Sequence, residues 1–282
     1  MDNNLKWLGK HSIEEIRVCT YILLSLDSST TTTQYVLNAL RLGDEIHQAD
    51  FVIGDIVYEY DGKRWHSGED NEARDIRKTM KLLQHPSRPK VVRLRGKGLP
   101  YLHMPSDVSP EFLERYTCIT DVPPCRKSKQ AQQILKLLSL EWKDDLDDFG
   151  EDIVEEIETM MDKYKVYVRA RLLEIAGDVL TRSLMKHHGI LMHAEAVIKL
   201  LPTLLERFDE KNAKTLLSSS VITAIGEGRF IQNFDKLKDE FDLTDEQTRK
   251  LMSDSLASKL GHPELVKWIQ EVKLEFKLTS KQ

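Results

Sequence analysis

Residues 50–66 read DFVIGDIVYEYDGKRWH, and residues 90–95 read KVVRLR. Two apolar, β-branched runs meet at Gly54-Asp55, a dipeptide suited to joining antiparallel strands. Side chains alternate along a strand, so Ile56, Tyr58 and Tyr60 take one face and Val57, Glu59 and Asp61 the other. Asp61-Gly62 ends the run as a turn. Beyond it, Ile76, Met80 and Leu83 recur at helical spacing, predicting a helix over 71–84 that His85-Pro86-Ser87 terminates. KVVRLR then reads as a short strand, with Val92 and Leu94 on one face and Arg93 and Arg95 on the other. The order is strand, turn, strand, helix, strand.

Outward from this stretch, Ser12-Ile13-Glu14-Glu15 has capping-box spacing and predicts a helix running to Leu26. SSTTTT at 28–33 is a loop, and a shorter helix covers 35–42. On the other side, Pro100, Pro105, Pro110 and Pro123-Pro124 punctuate a segment expected to be a connector over 105–127. A helix is expected over 128–142, and everything after Glu151 is helical in period. Residues 141–158 are densely acidic, which suits solubilised helix ends. An internal repeat follows with an offset of 35 residues, pairing Leu216 with Leu251, Gly226 with Gly261, and Phe241 with Phe276. That period predicts stacked helical hairpins at 215–249 and 250–282. The expected organisation is therefore a domain at 1–104, a connector, and an all-α domain at 128–282.

The chain of 282 residues carries a net charge of -5, which argues against a wholly basic nucleic-acid coat. Its acidic excess lies C-terminal to residue 108. Cys19, Cys118 and Cys125 are too few and scattered for a disulfide framework, which points to a reducing compartment. The longest apolar run is too short to span a bilayer, and MDNNLKWLGKHS lacks the plan of a signal peptide. A soluble, intracellular protein with no membrane partner is expected.

The chemistry-bearing residues concentrate in the opening stretch. Phosphodiester hydrolysis needs a divalent cation and a proton-transfer group. Magnesium takes one or two carboxylates with water completing its octahedron. Asp50 and Glu59 on adjacent strands meet that need, and Asp61, on the same face as Glu59, is expected to join the metal shell or orient water. Mg²⁺, or Mn²⁺ in its place, is the expected cofactor. His66 is the natural proton-transfer residue and Asp75 can fix its ring. Each also has a plainer reading: Asp61 as a turn former, Glu59 on a solvated face, and Asp75 as a helix-start acid suited to the dipole.

The runs DFV, EYDGKRWH, NEARD and VVRLR together resemble the very-short-patch repair endonuclease branch of the PD-(D/E)XK nuclease superfamily. They are similar also to endonuclease-like domains of unknown function that carry a Glu-x-Asp-Gly…His motif. The resemblance spans residues 12–102. It implies an α+β, restriction-endonuclease-like mixed sheet flanked by helices, ahead of the all-α helical-repeat domain. It implies magnesium-dependent cutting of DNA, with Asp50 as metal ligand, His66 as catalytic histidine, Asp75 as its partner and Glu15 as the glutamate of the first helix. Two departures stand out. The superfamily's usual strand lysine is replaced by Asp61, and Ser67-Gly68-Glu69-Asp70 offers no Cys or His for a structural zinc, so none is expected.

Residues 76–97 contain eight Lys and Arg and no acid. Arg77, Lys78, Lys81, Arg93 and Arg95 are the expected contacts to DNA, or alternatively RNA, through phosphate pairing. The leading expectation is an endonuclease with a C-terminal helical domain that engages a protein partner. The alternatives are an inactive nucleic-acid binder and a helical protein-interaction scaffold.

Overall fold

A computed structural model describes residues 7–186 and 189–207, with scattered positions between 232 and 247. Apart from those scattered positions, the expected repeats at 215–249 and 250–282 lie outside the described residues. Two compact units divide the chain: His11–Met161, and the residues up to Lys10 together with those from Asp162 onward.

The first unit is a mixed α+β layer structure. Helix α1 (Ile13–Leu26) begins at Ser12 with both halves of the capping box formed. The Ser12 hydroxyl accepts from the Glu15 N–H at 3.2 Å, while the Glu15 carboxylate accepts from the Ser12 N–H at 3.0 Å. Helix α2 (Thr33–Glu45) follows, three residues longer at its C-terminal end than the periodicity suggested. Strands β1 (Phe51–Ile53) and β2 (Ile56–Asp61) form the expected antiparallel pair. A short helix α3 (Lys63–His66) and helix α4 (Glu69–Leu83) then cross to β3 (Lys90–Gly96), which lies parallel to β2.

The segment expected to be a connector instead builds structure. It supplies α5 (Pro110–Glu114) and β4 (Tyr116–Val122), the fourth strand, parallel to β3. The sheet order is β1-β2-β3-β4. The prolines flank β4 rather than interrupt it, so their spacing marked the ends of a strand and not the absence of one. Helix α6 (Ser128–Leu137) packs beside α1, stopping short of the expected 142.

One face of the sheet changes character along the strands. Val57 and Val91 are register partners, as are Glu59 with Arg93 and Asp61 with Arg95. At the start of β2 and β3 the valines join Leu82, Leu83, Ala49, Val52 and Tyr116 in an apolar core. Toward the strand ends the same face becomes charged, and Asp75 and Thr79 of α4 are buried over it. The opposite face carries Tyr58, stacked on Phe51 with ring centroids 5.0 Å apart. Tyr60 on that face donates to the Pro123 carbonyl and accepts from the Cys125 N–H.

Helix α7 (Leu146–Leu184) is interrupted at Gly177, whose φ of 67 and ψ of 178 are non-helical. Its acidic beginning is not simply solvated. Glu151 receives two bonds from Arg17 of α1, at 2.6 and 2.7 Å, and one from the Tyr21 hydroxyl. Glu156 accepts from Thr33. The acidic stretch is thus partly tied to α1 and α2. In the second unit, α8 (Gly189–Met192) and α9 (Ala194–Arg207) follow, and α8 contacts the short 3-10 turn Leu8–Lys10. No helix among the described residues is long and apolar enough to cross a membrane.

Candidate functional site

The strand register decides what meets at the carboxyl ends of β2 and β3. Because Glu59 faces Arg93 and Asp61 faces Arg95, acids and bases alternate across two neighbouring strands on one face. Helix α4 covers that face with Asp75, Lys78 and Thr79, one helical turn apart. Open α/β sheets place ligands outside such strand ends.

Asp61 sits at the centre of one network. Arg93 grips it with Nε at 2.9 Å and Nη2 at 2.5 Å, a two-pronged pairing of guanidinium and carboxylate. Arg95 Nη1 adds bonds to Asp61 at 3.1 Å and to Asp75 at 3.3 Å. Arg93 Nη1 also donates to Thr79 Oγ1 at 2.9 Å and to the Asp75 carbonyl at 3.3 Å. His66 Nδ1 lies 2.8 Å from Asp75 and 3.3 Å from Asp61. One ligand atom each from Asp61, His66 and Asp75 falls within 4.8 Å of the others, a grouping of the size that can hold a cation.

Burial works against the Asp75 carboxylate, but the hydrogen bond from His66 and the charge of Arg93 outweigh it and hold its pKa below the usual value. The carboxylate at Nδ1 favours the tautomer protonated there, leaving Nε2 as the nitrogen for proton exchange.

A second group surrounds Asp50 and Glu59. The Asp50 carboxylate accepts the Tyr60 N–H at 2.5 Å, which locks it against β2. Its pKa stands well above the ordinary range, first because of burial and then because of the nearby charges of Glu15 and Glu59. Burial likewise raises Glu59, against the lowering influence of Lys78 and Arg93. Lys78 Nζ lies 2.7 Å from Glu59 Oε2, and the second oxygen, Oε1, is buried without a hydrogen-bond partner. Arg93 Nη2 approaches Glu59 at 3.8 Å and so links the two groups.

The sequence aims Asp50, Glu59, Asp61 and His66 at one spot. In the structure His66 meets Asp75 and Asp61. Asp50 is bonded instead to the Tyr60 N–H and Glu59 to Lys78, so the residues fall into two groups. The structure puts Asp61 beside His66 and Asp75, with its oxygens bonded to Arg93 and Arg95. The expected role of Arg93 and Arg95 in contacting nucleic acid needs correction. Both are fully buried, with their guanidinium groups turned onto Asp61 and Asp75, so neither presents charge to a ligand in solvent. Arg77 and Lys81 remain exposed on α4, while Lys78 turns inward onto Glu59. Lys78 is the partner of Glu59, with its ammonium supplied from the helix and not from the strand. Its position three residues after Asp75 was the available signal. Comparison of the chain with family models, curated proteins and solved structures returned no match.

Proposed function

We propose that the chain is a metal-assisted endonuclease that hydrolyses DNA phosphodiester bonds on a restriction-endonuclease-like sheet. The observation that carries this reading is the pair Asp50 and Glu59. Two carboxylates near enough to feel each other's charge are both made harder to ionise by burial, and Glu59 Oε1 is buried without a hydrogen-bond partner. Such a pair suits Mg²⁺ or Mn²⁺, because a divalent cation relieves the repulsion and uses the free oxygen. Bound there, the ion would polarise the phosphate and make a water more acidic.

The remaining residues divide the work. Lys78, fixed on Glu59, offers positive charge toward a pentavalent phosphate. His66, oriented by Asp75, exchanges a proton through Nε2. Asp61 binds Arg93 and Arg95 and thereby braces β2 against β3. Glu59, Asp61 and Asp75 are each paired with Lys78, Arg93 or Arg95, and Arg74 also lies 3.6 Å from Asp75, whereas Asp50 meets no cation at ion-pair distance among the described residues. A cation is therefore better matched to the Asp50 end than to the Asp61–His66–Asp75 grouping, where Arg93 lies 2.5 Å from Asp61 and Arg95 lies 3.1 Å from Asp61 and 3.3 Å from Asp75.

That arginine neutralisation also favours a second reading, a non-catalytic nucleic-acid binder whose acids are structural. Conversion of supercoiled plasmid to nicked and linear forms in Mg²⁺ or Mn²⁺ separates the two. The wild type should cut, while Asp50→Ala and His66→Ala should lose about a hundredfold or more. Equal behaviour of all three proteins ends the enzymatic reading.

A further inference from the structure

A cleft of about 490 Å³ opens beside α4, lined by His47, Gln48, Arg74, Arg77, Lys78 and Lys81. The four cations stand at helical positions i, i+3, i+4 and i+7, so they form one stripe on α4. Arg74 lies 3.6 Å from Asp75, and Lys78 holds Glu59. Arg77 and Lys81 are exposed and make no ion pair among the described residues.

The remaining lining comes from the turn between α2 and β1. His47 and Gln48 are consecutive side-chain-bearing residues in the left-handed region, at φ of 52 and 57. The surrounding structure holds them there. The Ala49 N–H donates to the Ile46 carbonyl at 3.1 Å, and the His47 ring meets His85 edge-on at 5.6 Å. Backbone held in a disfavoured region is a recurring mark of ligand-contacting turns.

Resting on the nuclease reading, we propose that this cleft is a nucleotide subsite. It takes the part of a nucleic-acid strand flanking the bond positioned at Asp50 and Glu59. Arg77 and Lys81 pair with backbone phosphates, while His47 and Gln48 hydrogen-bond the sugar or base edge. Its volume falls within the range of small-ligand pockets, yet basic and polar residues line it, which selects a phosphate-bearing ligand over an apolar one. Lys78 belongs both to the lining and to the Glu59 pair, so an occupant of the cleft lies beside the residue that holds Glu59.

The test is binding of a fluorescein-labelled single-stranded DNA of about twelve nucleotides to the full chain in EDTA, followed by anisotropy across a KCl series. Arg77→Ala with Lys81→Ala should weaken binding about tenfold or more. It should also reduce the slope of log affinity against log salt by about 1.4, at about 0.7 per phosphate contact on a single strand. Lys129→Ala with Lys136→Ala removes equal charge from exposed positions on α6 and should leave affinity within about twofold. His47→Ala with Gln48→Ala should weaken binding with the slope unchanged. Circular dichroism confirms that each variant is folded.

Equal weakening by the α4 and α6 pairs, or no weakening by the α4 pair, overturns the subsite, as does a wild type that fails to bind. Binding in EDTA is read without cleavage, so the two proposals fail separately. A protein that nicks plasmid but binds independently of Arg77 and Lys81 loses the subsite and keeps the reaction. One that binds through them without nicking keeps the subsite and loses the reaction.

Discussion

Arg93 and Asp50 sit on neighbouring parts of one charged layer, yet their contributions to stability have opposite sign. Arg93 is fully buried and satisfied by Asp61, Thr79 and the Asp75 carbonyl. Arg93→Ala leaves Asp61 buried beside a hole, and loss of one member of such a pair costs about 3–5 kcal/mol. Asp50 behaves the other way. Its folded-state pKa is raised above that of the unfolded chain, so the protonated form is favoured on folding. That stabilising contribution is present below the unfolded value and is lost as pH rises through the folded one. Near neutral pH and without metal, Asp50→Asn should therefore raise the urea midpoint while Arg93→Ala lowers it. Matching shifts in the same direction would remove the distinction between bracing and ligand residues. In the sequence, the meeting of His66 with Asp75 was legible because the turn and helical spacing aim them together. The burial of Arg93 and Arg95 was not, since a strand of alternating cations reads identically whether a helix covers it or water does. Their acidic partners on β2 in register, Glu59 and Asp61, were the clue to the covered alternative.

At the level of elements, the site depends on how β1 is set against β2, and α2 fixes β1. Gly43 is where that contact is closest. A Cβ there would lie 2.6 Å from the Ala49 carbonyl oxygen and 2.7 Å from the Phe51 Cα, both backbone atoms. Gly43→Ala must push β1 outward, and overpacking of this kind costs about 1–3 kcal/mol. Because Asp50 precedes β1 directly, the same substitution should weaken any Mn²⁺ binding along with the thermal midpoint. Unchanged values for both would show that α2 does not position the strand. The capping box of α1 and the hairpin at Gly54-Asp55 were readable from local chemistry, because each signal acts over three or four residues. The strand β4 was not, because its pairing with β3 is long-range and its burial only partial along Tyr116–Val122.

For the whole molecule, the sheet and the candidate site belong to the unit His11–Met161. The acidic start of α7, bonded through Glu151 and Glu156 to α1 and α2, joins that unit. The overall charge of -5 therefore hides a local basic stripe on α4, and a ligand senses the stripe and not the total. The proposed reaction turns on one requirement, that a divalent cation bind at Asp50 and Glu59. Crystals of the protein soaked in Mn²⁺ and measured for anomalous scattering test it most directly. The account predicts one peak about 2.0–2.2 Å from an oxygen of Asp50 and from Glu59 Oε1, absent in Asp50→Asn. No peak, or a peak seated instead among Asp61, His66 and Asp75, would contradict it.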